Sequence, residues 1–539
     1  MSRYTHMTAK PVPQSEPLNE AQVKNNAGGY VFALDDWKRL DRFLILGSDA
    51  NTYYQKAPAL TRENAKCVQR CYAADVERTV ARIVEVSTNA LAPKNDSAIF
   101  ALALGAADKA PEARKAALQA LPRVCRTSTH LFQFLALCKA LGRGWGRGLK
   151  TAVAGWYDAK RVESAAFQMV KYRAREGYTH KRALETSRPK LSARDTAAEA
   201  AARTALYKWA KGKPHVVADL PTIIAAHEEA MRPDTPKNRL IELIQTNNLP
   251  WEAIPTDVTK DPEVWEAMLP TMGLTAMIRN LGAMTSYGTL KPLGKNTARI
   301  VHKLADIDEL RKARVHPFQL LLAQTVYSQG ASYTARLRGK TDGLAWSPIG
   351  TIERALEKAF YDSFKTVTPT GKRTLIGLDV SGSMSSPLLN SPLRVCQGAA
   401  AMVMATIRTE PNWHVHAFAD TFRKLNLTPS MSLSEVLEKT ERQNFGGTDC
   451  SLPMAYALKS ALEVDTFIVY TDNETWAGRE HPVRTLAKYR SKSGIPAKLI
   501  VVGMTSTGFS IADPDDPGML DVVGFDASAP AVMAEFARG

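Results

Sequence analysis

The sequence predicts a two-part chain: an all-α first part, followed by an α/β domain whose mainly parallel sheet is covered by helices on both faces. Three observations carry this expectation. From about Leu18 to Phe364 apolar residues recur at helical spacing between short polar breaks, and strand-like runs are nearly absent. After Gly371 the rhythm changes to alternating β-type runs and amphipathic helices. Charge divides at the same place: Gly371–Gly539 holds 16 Lys and Arg against 18 Asp and Glu, so the residues before it carry two charges more than the whole chain's +16. The Pro369-Thr370-Gly371 turn separates the parts, giving 1–369 and 370–539.

In the first part, Ala98–Leu104, Ala113–Leu121 and Leu131–Leu137 each repeat apolar residues at helical spacing, with Asp, Lys and Pro or Thr-Ser-Thr as punctuation. Many helices in succession without βαβ alternation predict a bundle or an α-solenoid, and no strict repeat period decides between them. In the second part Thr374–Val380, Trp413–Phe418, Thr466–Tyr470 and Ala497–Val502 read as strands, and Leu393–Thr409, Ser432–Glu441 and Leu452–Leu462 as helices. Open sheets of this kind bind ligands outside the carboxyl ends of their strands, where Asp379 and Asp472 fall.

Composition narrows the function classes. The 539 residues are enough for more than one domain, and 45% hydrophobic with 23% charged residues is a globular balance. Met1–Lys10 is polar, and no apolar stretch reaches the length of a bilayer span, so a cytoplasmic location without membrane contact is expected. The six cysteines lack CxxC pairing, which disfavours a zinc site and a disulfide framework; Cys67 and Cys71, four apart, suit one helix face.

Asp379-Val380-Ser381-Gly382-Ser383 follows an apolar run and has two distant complements, Gly446-Gly447-Thr448-Asp449 and the strand end Ile468–Asp472. Together they offer hydroxyl and carboxylate oxygens suited to a hard divalent cation, Mg2+ above all, with an open coordination position. The alternative is that Asp379 and Asp472 only cap helices and order loops. The three segments resemble the metal-ion-dependent adhesion site of von Willebrand factor A domains. That resemblance implies Ser381, Ser383 and Thr448 as direct or near-direct ligands, and Asp379 and Asp472 as ligands bound directly or through water. Enzymatic motifs fare poorly. An Asp-x-Asp phosphotransferase needs a carboxylate where Ser381 stands. Gly294-Lys295 and Gly371-Lys372 lack the rest of a P-loop, His227-Glu228-Glu229 lacks a second His, and no nucleophile elbow occurs.

The positive charge of the first part points to a polyanionic partner. It is densest from Lys139 to Lys190, with 13 basic residues against 4 acidic ones. Within it, Gly142-Arg143-Gly144-Trp145-Gly146-Arg147-Gly148 sets guanidiniums and an indole on a glycine-rich loop. Lys171–Arg182 brings cations, aromatic faces and an imidazole to a break between two helices, a combination suited to phosphates and unstacked bases. Taken singly, Trp145 and Tyr172 read as core residues and His180 as a residue of a helix start.

Whole segments then resemble the Ro autoantigen family. They are Gly29-Tyr30-Val31, Arg39–Leu44, Gly47-Ser48, Thr52-Tyr53-Tyr54, Cys125–Phe132, Leu274–Gly282 and Ile511–Asp516, and the likeness spans almost the whole chain. The resemblance implies a ring of HEAT-like helical repeats, the TROVE module, closed by a von Willebrand factor A domain. It implies RNA binding without catalysis: Y RNA on the outer surface and misfolded noncoding RNAs whose single-stranded ends enter the ring. It maps the Y RNA surface onto Lys171, Arg173, Arg175 and His180, with Arg143, Arg147 and Lys150 as neighbours. It also implies a part in RNA quality control and a 3′ exoribonuclease of the polynucleotide phosphorylase type tethered through Y RNA. The competing reading is a metal-dependent protein-interaction scaffold.

Overall fold

The computed structural model describes residues 10–47, 65–191, 194–332, 343–364, 367–441 and 446–539; Ser48 and Thr52-Tyr53-Tyr54 of the quoted segments lie outside the described residues. The expectation of helices from about Leu18 onward needs correction at its start. Gln22–Lys24 (β1) and Tyr30–Ala33 (β2) form an antiparallel pair: Tyr30-Val31-Phe32 is a β-favouring run whose Val31 and Phe32 are buried, and Gly28 (φ +96°) turns the chain between the strands.

Helices then follow one another from Asp36–Leu46 to Gly350–Asp362. Their starts are fixed locally: Asp35, Asp75, Thr127 and Thr179 each accept the amide N–H three residues on, and Thr196 with Glu199 forms a reciprocal capping box. Asp96–Ala106, buried from Ser97 onward, is the core of the early repeats and packs on Pro111–Val124 and Ser128–Ala140. Cys67 and Cys71 are both buried on the helix Lys66–Ala74. A two-stranded hairpin, β3 (Ala174–Arg175) and β4 (Tyr178–Thr179), interrupts the helices.

The two ends of this array meet. Buried His316 donates through Nε2 to the Leu91 carbonyl at 3.1 Å and accepts at Nδ1 from the Phe318 amide, while Gln319 donates to the Pro93 carbonyl at 3.1 Å. The helices otherwise pack on elements near them in sequence, so of the arrangements the sequence leaves open they form an array of repeats closed into a ring and not a compact bundle.

The second part is a six-stranded sheet in the order β11 (Met519–Val523), β9 (Lys498–Gly503), β8 (Thr466–Thr471), β5 (Thr374–Asp379), β6 (Trp413–Phe418), β7 (Phe422–Lys424), with β10 (Phe509–Ser510) paired to β2 instead. All pairings in the large sheet are parallel except β6 with β7. The chain adds β6 on one side of β5 and then crosses over to add β8 on the other, which puts a topological switch point at the carboxyl end of β5.

Ring and domain share buried polar contacts. Arg42, 1% exposed, donates from Nη2 to both oxygens of Asp521 at 2.8 and 3.0 Å. Its Nη1 serves the Thr507 and Phe509 carbonyls at 2.8 and 3.0 Å. The Leu34 amide donates to Gly508, and the Ala527 amide to Leu91 at the ring seam.

Candidate nucleic-acid interface and metal centre

The basic flank is built on a small hairpin. The helix Val162–Lys171 stops at Tyr172, and the chain reverses through Glu176 (φ +50°) and Gly177 (φ +74°), the two left-handed residues of a tight hairpin turn. Thr179 then caps the helix His180–Ser187. Arg173, Arg175, Lys181 and Arg182 are exposed and Lys171 is half-buried. Arg175 lies 3.2 Å from Glu176 in a solvent-exposed ion pair, and Arg182 sits 4.6 Å over the ring of buried Tyr178.

His180 is placed otherwise than the resemblance implies. It is 5% exposed, edge-on to Phe132 with ring centres 4.9 Å apart. Nε2 lies 3.1 Å from the Tyr172 carbonyl, which can only accept, so the proton sits there and Nδ1 accepts from the Tyr157 hydroxyl at 2.9 Å. Burial pushes its pKa down to about 4, so the ring is neutral at physiological pH. The imidazole ties the end of one helix to another and holds the hairpin from beneath.

Arg143, Arg147 and Lys150 lie beside this flank in sequence and on one loop-to-helix segment in space. Gly142 (φ +80°) turns the chain out of Ser128–Ala140; Arg143 is half-buried, Trp145 packs against the core, and Arg147 and Lys150 are exposed on the first turn of Arg147–Asp158. Arg147 and Lys150 line a surface groove of about 630 Å³ together with exposed Arg188 and Lys190. Sequence reasoning did not single out these last two, although both fall inside the basic stretch; only the fold of His180–Ser187 back onto Arg147–Asp158 brings them alongside.

The metal-type segments do converge. Asp379 ends β5 and Asp472 follows β8, its parallel neighbour. The Thr448 carbonyl accepts the Trp476 and Ala477 amides at 2.9 and 3.0 Å, which fastens the Thr448 loop to the Asp472 loop. Ser381 and Ser383 hydroxyls lie 3.3 Å apart, and Asp379 accepts from the Ser381 amide at 2.9 Å and the Thr471 hydroxyl at 2.6 Å. All five predicted residues are at most 5% exposed. Burial raises both carboxyls, and for Asp379 the charge of Asp472 adds to it; no cationic side chain of the described residues offsets them.

Among the described residues no group of three or more His, Cys, Asp or Glu is placed to hold a metal. The donor set is instead two carboxylates with three neutral hydroxyls, and that chemistry fits a hard cation, which would supply the missing positive charge. Sequence reasoning missed what surrounds it. Glu474 accepts the Asn26 and Ala27 amides at 2.9 and 3.1 Å, Asn25 donates to the Thr475 carbonyl at 2.7 Å, and Gln14 donates to Asp449 at 2.8 Å. The first residues of the chain thus strap the loops of the last domain.

A closed helical ring joined to an α/β domain with hydroxyl-rich loops at its switch point defines the class of TROVE-type ring proteins. Comparison with known families agrees: the TROVE domain matches residues 23–224 and 243–341, and the Ro60 vWA domain residues 373–537. The chain belongs to the Ro60 family. It is 42% identical to the RNA-binding protein RO60 of Deinococcus radiodurans over 98% of this chain and 97% of that one. It is 34% identical to the RNA-binding protein RO60 of Caenorhabditis elegans, covering 98% and 92%. The crystal structure of the Deinococcus radiodurans RO (RSR) protein superposes with a TM-score of 0.70 at 41% identity, covering 94% of this chain and 100% of that one. No helix among the described residues is long and apolar enough to cross a membrane.

Proposed function

We propose that this chain is a non-enzymatic RNA-binding protein of the cytoplasm. It holds a small noncoding Y RNA on the outer surface of its ring and takes misfolded or structured noncoding RNAs by their single-stranded ends, acting in RNA quality control and processing. The observation that carries this reading is the cationic flank of half-buried Lys171 with exposed Arg173 and Arg175 at a hairpin locked from below by neutral His180, beside the loop of Arg143 and the groove of Arg147 and Lys150. Exposed guanidiniums on a rigid base track phosphates without reading sequence. The names of both relatives support RNA as the partner and carry no enzymatic activity. Selectivity then comes from shape: a ring admits a single strand more readily than a duplex. Y RNA on the rim gates that entry and tethers a 3′ exoribonuclease.

Asp379, Ser381, Ser383, Thr448 and Asp472 are the residues that would hold Mg2+. Bound there, the ion supplies a Lewis-acidic position to an acidic side chain of a partner. The chain's own residues bring that ion two buried negative charges and a cage of hydroxyls. Those buried, uncompensated carboxylates favour the second reading, a metal-dependent protein-interaction scaffold, as an additional property of the domain.

Gel-shift titration tests the assignment. Replacing Lys171, Arg173 and Arg175 together with alanine abolishes Y RNA binding, whereas Ser381→Ala with Ser383→Ala spares it. Unchanged Y RNA affinity in the triple variant refutes the interface. Loss of RNA binding in the serine variant makes the metal site the principal one.

A further inference from the structure

The segment Leu274–Gly282, one of those that carry the family likeness, has no part in the cationic flank or the metal loops. It forms one wall of a cavity of about 410 Å³ at the ring seam, whose other walls come from Phe318–Tyr327 and Leu344–Trp346, with Pro93 and Lys94 arriving from the opposite end of the array. The volume is that of a small-ligand site, and so is the lining: mainly apolar, with a few polar groups. Ile278, Leu322 and Val326 supply the apolar surface.

Trp346 is held in this wall by construction. Its Nε1 donates to the Tyr327 carbonyl at 2.9 Å, and its ring stacks on Tyr327 at 6.1 Å and 23°. A Cβ on residue 282 would lie 2.6 Å from the indole, so only glycine lets the ring lie so close to the helix Leu274–Ser286. At the mouth stand exposed Arg279 and Lys94. The Tyr172 phenol, pushed up first by burial, feels the charges of Glu252 and Arg279, so Arg279 lies within electrostatic reach of the cationic flank. An aromatic pair and an apolar wall behind a guanidinium match a planar base attached to a phosphate.

We propose that this cavity takes one unpaired nucleotide, with its base against the Trp346 wall and its phosphate at Arg279. The inference rests on the RNA reading above and names where a strand that has crossed the flank ends. The same chemistry is carried by a free nucleoside monophosphate and by the last residue of an RNA tail. Because the cavity is lined from both ends of the array, occupancy also favours the closed ring by mass action.

The test uses the full chain with a hairpin RNA carrying a short 3′ tail that ends in 4-thiouridine, the same hairpin without a tail, and UMP. Photocrosslinking should attach the tail to peptides containing residues 275–283 or 344–346. Filling the cavity with Ala323→Trp should lower that yield about tenfold, within the range of one stacked base. If melting shows this variant unfolded, Arg279→Ala, an exposed change, decides instead: affinity falls about fivefold for the tailed hairpin and not for the blunt one. Displacement of the adduct by millimolar UMP means that free nucleotides share the site; failure of UMP to compete assigns it to RNA ends. Adducts confined to residues 143–190, with RNA binding intact, overturn the cavity and leave the RNA reading standing. Loss of binding to both hairpins overturns that reading, and UMP titration then decides the cavity by itself.

Discussion

His180→Ala separates contact from support in the RNA flank. Tyr157 is 1% exposed, so removing the imidazole strands its hydroxyl without water, at roughly 1–3 kcal/mol. Loss of the edge contact with Phe132 adds about 0.5–1.5 kcal/mol. Together these give roughly 3 kcal/mol of lost stability at pH 7.5, read by urea unfolding. The pH dependence has a definite sign. With the folded pKa near 4 and the free value at 6.5, the unfolded chain binds the extra proton between them, so the stability held in this site is complete above about pH 6.5 and is lost as pH falls toward 4. The variant should lose that part of the slope. RNA affinity of the wild-type chain should gain nothing from His180 between pH 7.5 and 6, because the ring stays neutral. A variant as stable as wild type with RNA affinity reduced more than tenfold, together with wild-type binding that strengthens through pH 6.5, would refute the argument and make the imidazole a direct contact.

Three further outcomes follow from the same geometry. Arg42→Met leaves Asp521 buried without its partner and should cost about 3–5 kcal/mol, visible as a lowered melting temperature; a neutral result would mean that Asp521 is not held buried and charged by Arg42. Mg2+ at a hundredfold excess over Kd should stabilise the wild-type chain by about 2.7 kcal/mol and raise its melting temperature, and Asp379→Asn should abolish that rise; an equal Mg2+ response in the variant would exclude Asp379 from the site. Gly29→Ala would put a Cβ 1.9 Å from the Thr475 carbonyl oxygen, so limited proteolysis should release the N-terminal segment; unchanged resistance would show that the strap can shift without cost.

The second part of the chain was legible because its strands obey one rule. Thr374–Asp379, Trp413–Phe418 and Thr466–Thr471 are short β-favouring segments bounded by polar turns, the first and last apolar runs and the second alternating with His414 and His416, and they formed strands within a residue or so of expectation. Strands β7, β10 and β11 were missed: they are short or carry polar residues such as Arg423 and Asp521, and the pairing that stabilises β10 comes from a strand more than 470 residues earlier. Periodicity within a window cannot report such a partner. The metal-type loops were legible because chemistry concentrated at strand ends is local in sequence. His180 was not, since its burial depends on Phe132 and Tyr157 from two other helices, and a histidine between two cation-rich segments carries no local sign of being covered.

The strap and the seam explain why the ring and the domain depend on each other. Leu91 is the meeting point: its carbonyl accepts from His316 of the last repeats and from the Ala527 amide of the domain, while Phe318 packs edge-on to Phe525 at 5.6 Å. Closing the ring therefore also seats the domain. At the opposite side of the sequence, Asn25, Asn26 and Ala27 neutralise polar groups of the loop 473–475, including Glu474, which burial pushes up to about 7. A domain cut at the 373–537 boundary would expose those groups and leave β10 without β1 and β2, the other two strands of its sheet. The loops that gather Ser381, Thr448 and Asp472 are thus held by residues from both ends of the chain, and the site is a property of the closed molecule.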